Sequence, residues 1–342
     1  VAEREVGKGY WAETWRQFRK NYLAMFGLVV VGVMFFAAIS APLLANDRPL
    51  VMKTATGFWF PALRDYLPEK WDRANNETDW SSPEDKWGKI EWRIMPPAPY
   101  HPDRIDLTHF YEGPSRRHLL GTDDRGRDLL SRLIWGSRIS LSVGFVAVGI
   151  AVLLGVPVGA AAGYYGGTVD AIVLRVVEVI ICFPTFFLIL AILAFLPQSI
   201  FNIMVVIGIT GWVDPARLIR GEFLKLRGVQ YVEAVRAIGA SNWRTIFRHI
   251  LPNAIAPVLV SATFGVASAI LYESALSYLG FGVPPPTPSW GEAISQAEQF
   301  IDAWWLTLFP GFAIFLTVTA YNLVGEGFRD ATDPRLRGTR KE

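Results

Sequence analysis

The sequence has almost no cysteine: a single thiol, Cys182, stands inside an apolar run. One cysteine forms no internal disulfide, so no disulfide framework holds this chain, and Cys182 reads as a small packing residue. The four histidines, His101, His109, His118 and His249, are scattered and lack zinc-ligand spacing. No G-x-x-x-x-G-K-[ST] loop occurs, so nothing here cradles the phosphates of a nucleotide. Neither H-E-x-x-H nor G-x-S-x-G occurs, and no apolar block supplies a histidine to activate Cys182, which argues against an intramembrane enzyme. A basic stripe with interleaved aromatics is missing, which argues against a nucleic-acid partner. The formal charge of +2 points to no partner class, because the placement of charges matters more than their sum.

What the chain does have is apolar sequence in long blocks. It is 51% hydrophobic against 19% charged, and the two kinds of residue are segregated rather than interleaved, which is a membrane pattern. The first block, 23–45, carries no charge and exceeds the ~7–15 residue core of a signal peptide, so it reads as an anchored helix. Further blocks follow at 139–162, 170–196, 200–221, 253–279 and 303–326. The block at 200–221 is the shortest in effect. Asp214, Pro215, Arg217 and Arg220 enter its second half, and the span is expected to leave the membrane around Asp214. The reading is an all-α membrane protein of about six transmembrane helices. Most blocks hold no titratable group, which disfavours the ion-coupled secondary transporter that is the alternative class.

Lysine and arginine set the orientation. Arg4, Lys8, Arg16, Arg19 and Lys20 mark the tail 1–22; Lys225, Arg227, Arg236, Arg244 and Arg248 mark the segment after the fourth span; Arg329, Arg335, Arg337, Arg340 and Lys341 mark the tail 327–342. With six spans all three lie on one side, which the positive-inside rule makes cytoplasmic. Both termini are therefore expected inside. The polar stretch 46–138, rich in Pro, Trp and Asp and without sustained periodicity, then faces outward as a small subdomain, too long for a plain connection. The core 139–326 contains the cytoplasmic loop 222–252.

Within that loop, Tyr231 to Asn253 reads as two short helices joined by a turn. Gly239 suits a left-handed helix stop. Ser241 can cap the next helix, whose apolar residues Trp243, Ile246, Phe247 and Ile250 recur at i, i+3, i+4 and i+7. Such a pair can receive a partner protein, or lie on lipid headgroups as a surface helix. Glu233-Ala234, Gly239 and Ile250-Leu251-Pro252, at this spacing, resemble the EAA loop of bacterial ABC importer permeases; the second alanine of the pattern is Val235 here. The resemblance implies that Glu233, Ala234, Ala237, Ile238, Gly239, Ala240, Ser241 and Trp243 couple the chain to a cytoplasmic ATPase.

His118 to Ser140 (HLLGTDDRGRDLLSRLIWGSRIS) is similar to the segment before the second span in dipeptide, oligopeptide and nickel permeases. Gly280 to Gly291 (GFGVPPPTPSWG) resembles their outer loop before the last span, and Gly327 to Arg335 fits their tail. Asn46 to Leu50 with Trp59-Phe60-Pro61 is similar to the long-loop branch that includes microcin C-type oligopeptide permeases. The family implies a peptide permease of the bacterial cytoplasmic (inner) membrane, with a nickel or other-solute permease as the alternative. It also implies two ATP-binding-cassette subunits that bind ATP and Mg, a second homologous permease subunit and an extracytoplasmic binding protein. No cofactor is expected in this chain.

Several residues carry two readings. Arg175 and Glu178, three apart, read as a structural pair rather than a transport path. Glu273, near the outer end of the fifth span, either lines the substrate path or bonds a neighbouring helix. Asp123, Asp124, Asp128 and Asp170 lack calcium-loop spacing and read as turn and ion-pair residues. Asn76-Glu77-Thr78 is a chance glycosylation triplet. Trp304 and Trp305 suit an interfacial anchor, and tryptophans of the outer stretch suit a small core.

Overall fold

In hydrocarbon every backbone N–H and C=O must be satisfied within its own segment, so long apolar runs become helices. The computed structural model describes residues 10–55, 57–66, 80, 83 and 89–332. Helix α1 (Tyr10–Phe18) leads into α2 (Tyr22–Ile39) and the short α3 (Ala41–Leu44). Strands β1 (Val51–Thr54), β2 (Gly57–Trp59) and β3 (Ile90–Ile94) follow, with a 3-10 turn over Pro61–Tyr66. The remaining helices are α4 (Leu129–Tyr165), α5 (Gly167–Ile181), α6 (Thr185–Leu193), α7 (Ile200–Gly211), α8 (Val213–Leu226), α9 (Gln230–Ala237), α10 (Asn242–Arg244), α11 (Leu251–Ala254), α12 (Ala256–Tyr278), α13 (Trp290–Ser295) and α14 (Trp304–Thr332).

Among the described residues, five helical runs are long and apolar enough to span a bilayer: Tyr22–Ile39, Leu129–Tyr165, Ile200–Leu226, Ala256–Tyr278 and Trp304–Thr332. The pair α5 and α6, bent by 81° at its break, makes a sixth when the two are counted as one broken span. The bend falls at Pro184, whose missing N–H and bulky ring cannot continue a helix. Expected spans and observed helices agree in number and order, with two differences. Helix α4 begins at Leu129, ten residues before the apolar block, because its first turns hold polar side chains buried in protein rather than lipid. The fourth helical run does not stop at Asp214: α8 continues to Leu226, so the charges lie inside the helix.

The chain divides into two compact units. The first holds Val1–Val31, Val143–Tyr272 and Leu316–Glu342. Gly155, Gly159 and Gly163 recur every fourth residue on α4 and meet Trp212, Ala216 and Phe223; a Cβ on Gly159 would sit 2.2 Å from the Ala216 carbonyl oxygen. Backbones therefore touch, as small-residue stripes allow in membranes. Below that contact Tyr164, Ile219, Phe223, Val232, Ile246 and Ile250 form one buried cluster. Arg220 pairs with Asp170 (Nη2 to Oδ2 2.7 Å), and Arg175 with Glu178 (2.8 Å).

The second unit holds Gly32–Ser142 and Glu273–Phe315. Its antiparallel sheet, in the order β2-β1-β3, buries Met52 and Thr54 on one face. Strands of three to five residues are too short to betray alternation, which is why this stretch shows no period in sequence. The carboxylate of Asp123 accepts from Arg127 Nε at 2.6 Å and from the Arg125 and Arg127 backbone N–H groups. Arg132, 1% exposed, donates to Glu292 (2.6 Å) and to the Pro102 carbonyl (3.1 Å). Asp128 pairs with His118 at 3.0 Å. Buried charges persist only when matched in this way. Trp135, Trp290 and Trp305 donate indole N–H bonds to the carbonyls of Ala45, Leu133 and Thr122; Trp290 and Trp305 are buried core residues and Trp135 is half-buried, whereas Trp304 is exposed. Arg4, Lys8, Asn76–Thr78, Arg335, Arg337, Arg340 and Lys341 lie outside the described residues.

Candidate functional site

The loop between α8 and α12 is built by local rules. Helix α9 ends in a Schellman motif: Gly239 N–H donates to the Arg236 carbonyl at 2.9 Å and Ala240 N–H to the Val235 carbonyl at 3.2 Å. Gly239 takes φ +81°, a conformation that costs any L side chain about 1–2 kcal/mol. Ser241 then caps α10, its hydroxyl accepting from Arg244 N–H at 3.4 Å. The chain continues through a π-helical stretch, Thr245–Ile250, into α11 with Pro252 in its first turn.

Burial divides the loop into an anchor and a free edge. Val232 and Ile250 are fully buried, Ile246 nearly so, and all three belong to the cluster around Phe223. Tyr164 Oη donates to Asn242 Oδ1 at 2.8 Å, and the Arg236 guanidinium lies 4.8 Å from the Tyr164 ring centroid. The free edge contains Glu233, Ala234, Ala237, Ile238, Gly239, Ser241 and Trp243, with Ala240 half-buried. Ile238 is 84% exposed and Trp243 71%, and the Trp243 ring lies on Phe247 at 3.9 Å. The apolar stripe expected from Trp243 to Ile250 is therefore split: Ile246 and Ile250 face the protein while Trp243 faces away from it. The structure gathers all eight loop residues named from sequence into one continuous edge.

Glu273 is fully buried. Its carboxylate accepts from Ser140 Oγ at 3.0 Å and Ser277 Oγ at 2.8 Å, with Ser274 and Ser289 also bonded to it. The bond to Ser140 ties it to a neighbouring helix, which is one of its two readings. The neighbouring Tyr272 does line a cavity, of about 270 Å³, in the first unit. Thr185, Thr210, Asp214, Ser261 and Ser268 contribute polar groups to that wall, and Ala151, Gly211, Ala262 and Gly265 keep it open. Asp214 was read from sequence only as a sign that the helix leaves the membrane; a charge inside an apolar block was the signal for more. Among the described residues, no group of three or more His, Cys, Asp or Glu side chains is placed to hold a metal ion.

Known proteins resemble this chain in sequence along most of its length. Residues 155–338 match the binding-protein-dependent transport system inner membrane component family, and residues 9–67 match the N-terminal TM domain of oligopeptide transport permease C. The dipeptide transport system permease protein of Alkalihalophilus pseudofirmus is 36% identical over 96% of this chain and 90% of its own length. The oligopeptide transport system permease protein of Bacillus subtilis is 32% identical over the same shares, 96% and 90%. The glutathione transport system permease protein of Pectobacterium atrosepticum is 39% identical over 68% of this chain and 78% of its own. With its set of membrane-spanning helices and these matches along nearly its whole length, the chain belongs to the inner membrane components of binding-protein-dependent transport systems, the multi-pass permease subunits of ABC importers.

Proposed function

We propose that this chain passes peptides inward across the cytoplasmic membrane by alternating access, without a catalytic site of its own. Two separate ATPase subunits would bind ATP and Mg, a second homologous permease subunit would complete the pathway, and an extracytoplasmic binding protein would deliver substrate. The names of the relatives support peptides as the substrate class.

The observation that carries the coupling role is the free edge at 233–243, exposed yet held rigidly by Val232, Ile246 and Ile250. A rigid anchor transmits displacement, and the small residues Ala234, Ala237, Gly239 and Ala240 admit close approach of a partner backbone. A lipid-lying helix would need a broad apolar face, whereas Ile246 and Ile250 are turned inward. Closure of the ATPases would therefore move the loop and, through the Phe223 cluster, α4 and α8.

Co-purification of the assembled transporter tests this. Proline at 239 can adopt neither φ +81° nor donate to Arg236, so Gly239→Pro unmakes the turn. Glu233→Lys reverses an exposed charge on the same edge. Both variants should insert normally and lose ATPase binding by roughly tenfold or more. Native ATPase binding and hydrolysis in both would refute the assignment and reopen the ion-coupled reading.

A further inference from the structure

Several charged side chains on the helices of the first unit have partners. Asp170 meets Arg220, Arg175 meets Glu178, Lys225 meets Glu222, and Arg227 donates to the Gly163 carbonyl. Among the described residues, neither the Asp214 nor the Arg217 side chain makes a hydrogen bond or an ion pair, and both are exposed. They lie about halfway along the run Ile200–Leu226. Ionisable residues within a membrane-spanning helix are rare, and they often mark sites where something charged is met.

The usual structural role for an acid at this position is to offset the positive end of a helix dipole. That role is weak here, because α7 runs into α8 and the Ala216 N–H already donates to the Trp212 carbonyl at 3.1 Å. What surrounds Asp214 is open space. It lines the cavity of about 270 Å³ with Thr210, Ser261 and Tyr272. It also lines a recess of about 590 Å³ with Arg217 and Ser261, so the two spaces share Asp214 and Ser261 on their walls. Volumes of about 300–1,000 Å³ are those of small-molecule sites.

We propose that Asp214 and Arg217 form an intramembrane binding site for the two charged termini of a zwitterionic peptide. The Asp214 carboxylate receives the α-ammonium and the Arg217 guanidinium receives the α-carboxylate. Residues three apart on a helix hold their Cβ atoms about 5–6 Å from each other. A dipeptide separates its charged termini by roughly 6 Å, so both ends are met at once. The Ser261 hydroxyl, on both walls, supplies an uncharged hydrogen bond for the peptide unit between them. The site is open, which suits a transport step in which solute must leave as readily as it enters. The proposal rests on the peptide reading above and refines it.

The test uses the assembled transporter in nanodiscs without nucleotide and without the binding protein, whose own selectivity would otherwise mask that of the permease. Radiolabelled alanyl-alanine is the probe, with its N-acetylated and C-amidated forms as competitors. The native complex should bind the probe saturably, and each blocked form should compete about tenfold less well than the free dipeptide. Asp214→Asn should abolish discrimination against the N-acetylated form alone, and Arg217→Gln discrimination against the amide alone. Asp214→Glu, which keeps the charge, should retain both; it also separates loss of charge from loss of fold. Absence of saturable binding by the native complex, or native discrimination in Asp214→Asn, overturns the site. Uptake of the same dipeptide by the native complex with its binding protein and ATP tells the two readings apart. Uptake without the discrimination pattern sinks the site alone, and absence of peptide uptake by the native complex sinks the peptide reading with it.

Discussion

Asp106, in the outer stretch, shows what a short run of residues does to one proton. Its carboxylate accepts from the hydroxyl and the backbone N–H of Thr108 and lies 3.1 Å from His109 Nδ1. The Thr108 hydroxyl foremost, with help from the Thr108 N–H and His109, holds its pKa down to about 2. An unfolded aspartate titrates near 3.9, so the folded value is depressed. A depressed acid contributes stability at pH above its unfolded pKa and loses it as pH falls through the folded one. Asp106→Asn should therefore lower the stability of the outer unit at pH 7, and the gap from native should close between pH 4 and pH 2. Thermal unfolding of the purified protein across that range checks it; a gap independent of pH would assign the loss to packing instead.

Residue-scale legibility followed distance along the chain. The left-handed stop at Gly239 and the cap at Ser241 are decided within five residues, and both stand where the sequence placed them. The serines around Glu273 come from positions 140, 274, 277 and 289, and no local rule brings Ser140 or Ser289 to it. For the same reason Arg132 gave no sign that its partner was Glu292, 160 residues away.

Among elements, α4 and α8 touch backbone to backbone. The stripe Gly155, Gly159, Gly163 is a repeated small-xxx-small pattern, readable in sequence as an association face but overlooked among the apolar counts. Gly159→Val places carbon where the Ala216 carbonyl oxygen stands, and backbone cannot rotate aside as a side chain does. Overpacking of this kind costs about 1–3 kcal/mol. The variant should unfold several degrees below native in detergent, while Gly149→Val, whose Cβ meets nothing within 4 Å, should not. Equal melting of the two would mean that α4 and α8 are looser than their contact distance implies. Element boundaries were harder to read than element existence. Hydropathy locates lipid-facing length, and α4 extends beyond it because Arg132 and Asp128 are satisfied by protein at its outer end.

At the scale of the whole molecule, six spans and the distribution of Lys and Arg set which side each loop faces, and both could be read before any coordinates. The sheet order and the buried charge network could not, since they depend on pairings across the chain. Sidedness gives a direct test. Replacing the exposed Cys182 by serine leaves a chain without thiols, into which one cysteine is introduced at a time. Leu107 is 68% exposed in the outer stretch, and the Lys225 side chain is 72% exposed at the end of α8. Three of the six spans lie between Leu107 and Lys225 along the sequence, an odd number, so the topology puts the two positions on opposite sides of the membrane. A membrane-impermeant maleimide added to intact cells should label Leu107→Cys and spare Lys225→Cys until the membrane is permeabilised. The reverse pattern would turn the coupling edge outward, away from any source of ATP. The exposed Glu233–Trp243 edge can meet a cytoplasmic ATPase only if the positive-inside orientation holds, so this labelling experiment bears on the coupling proposal as strongly as any substitution within the loop.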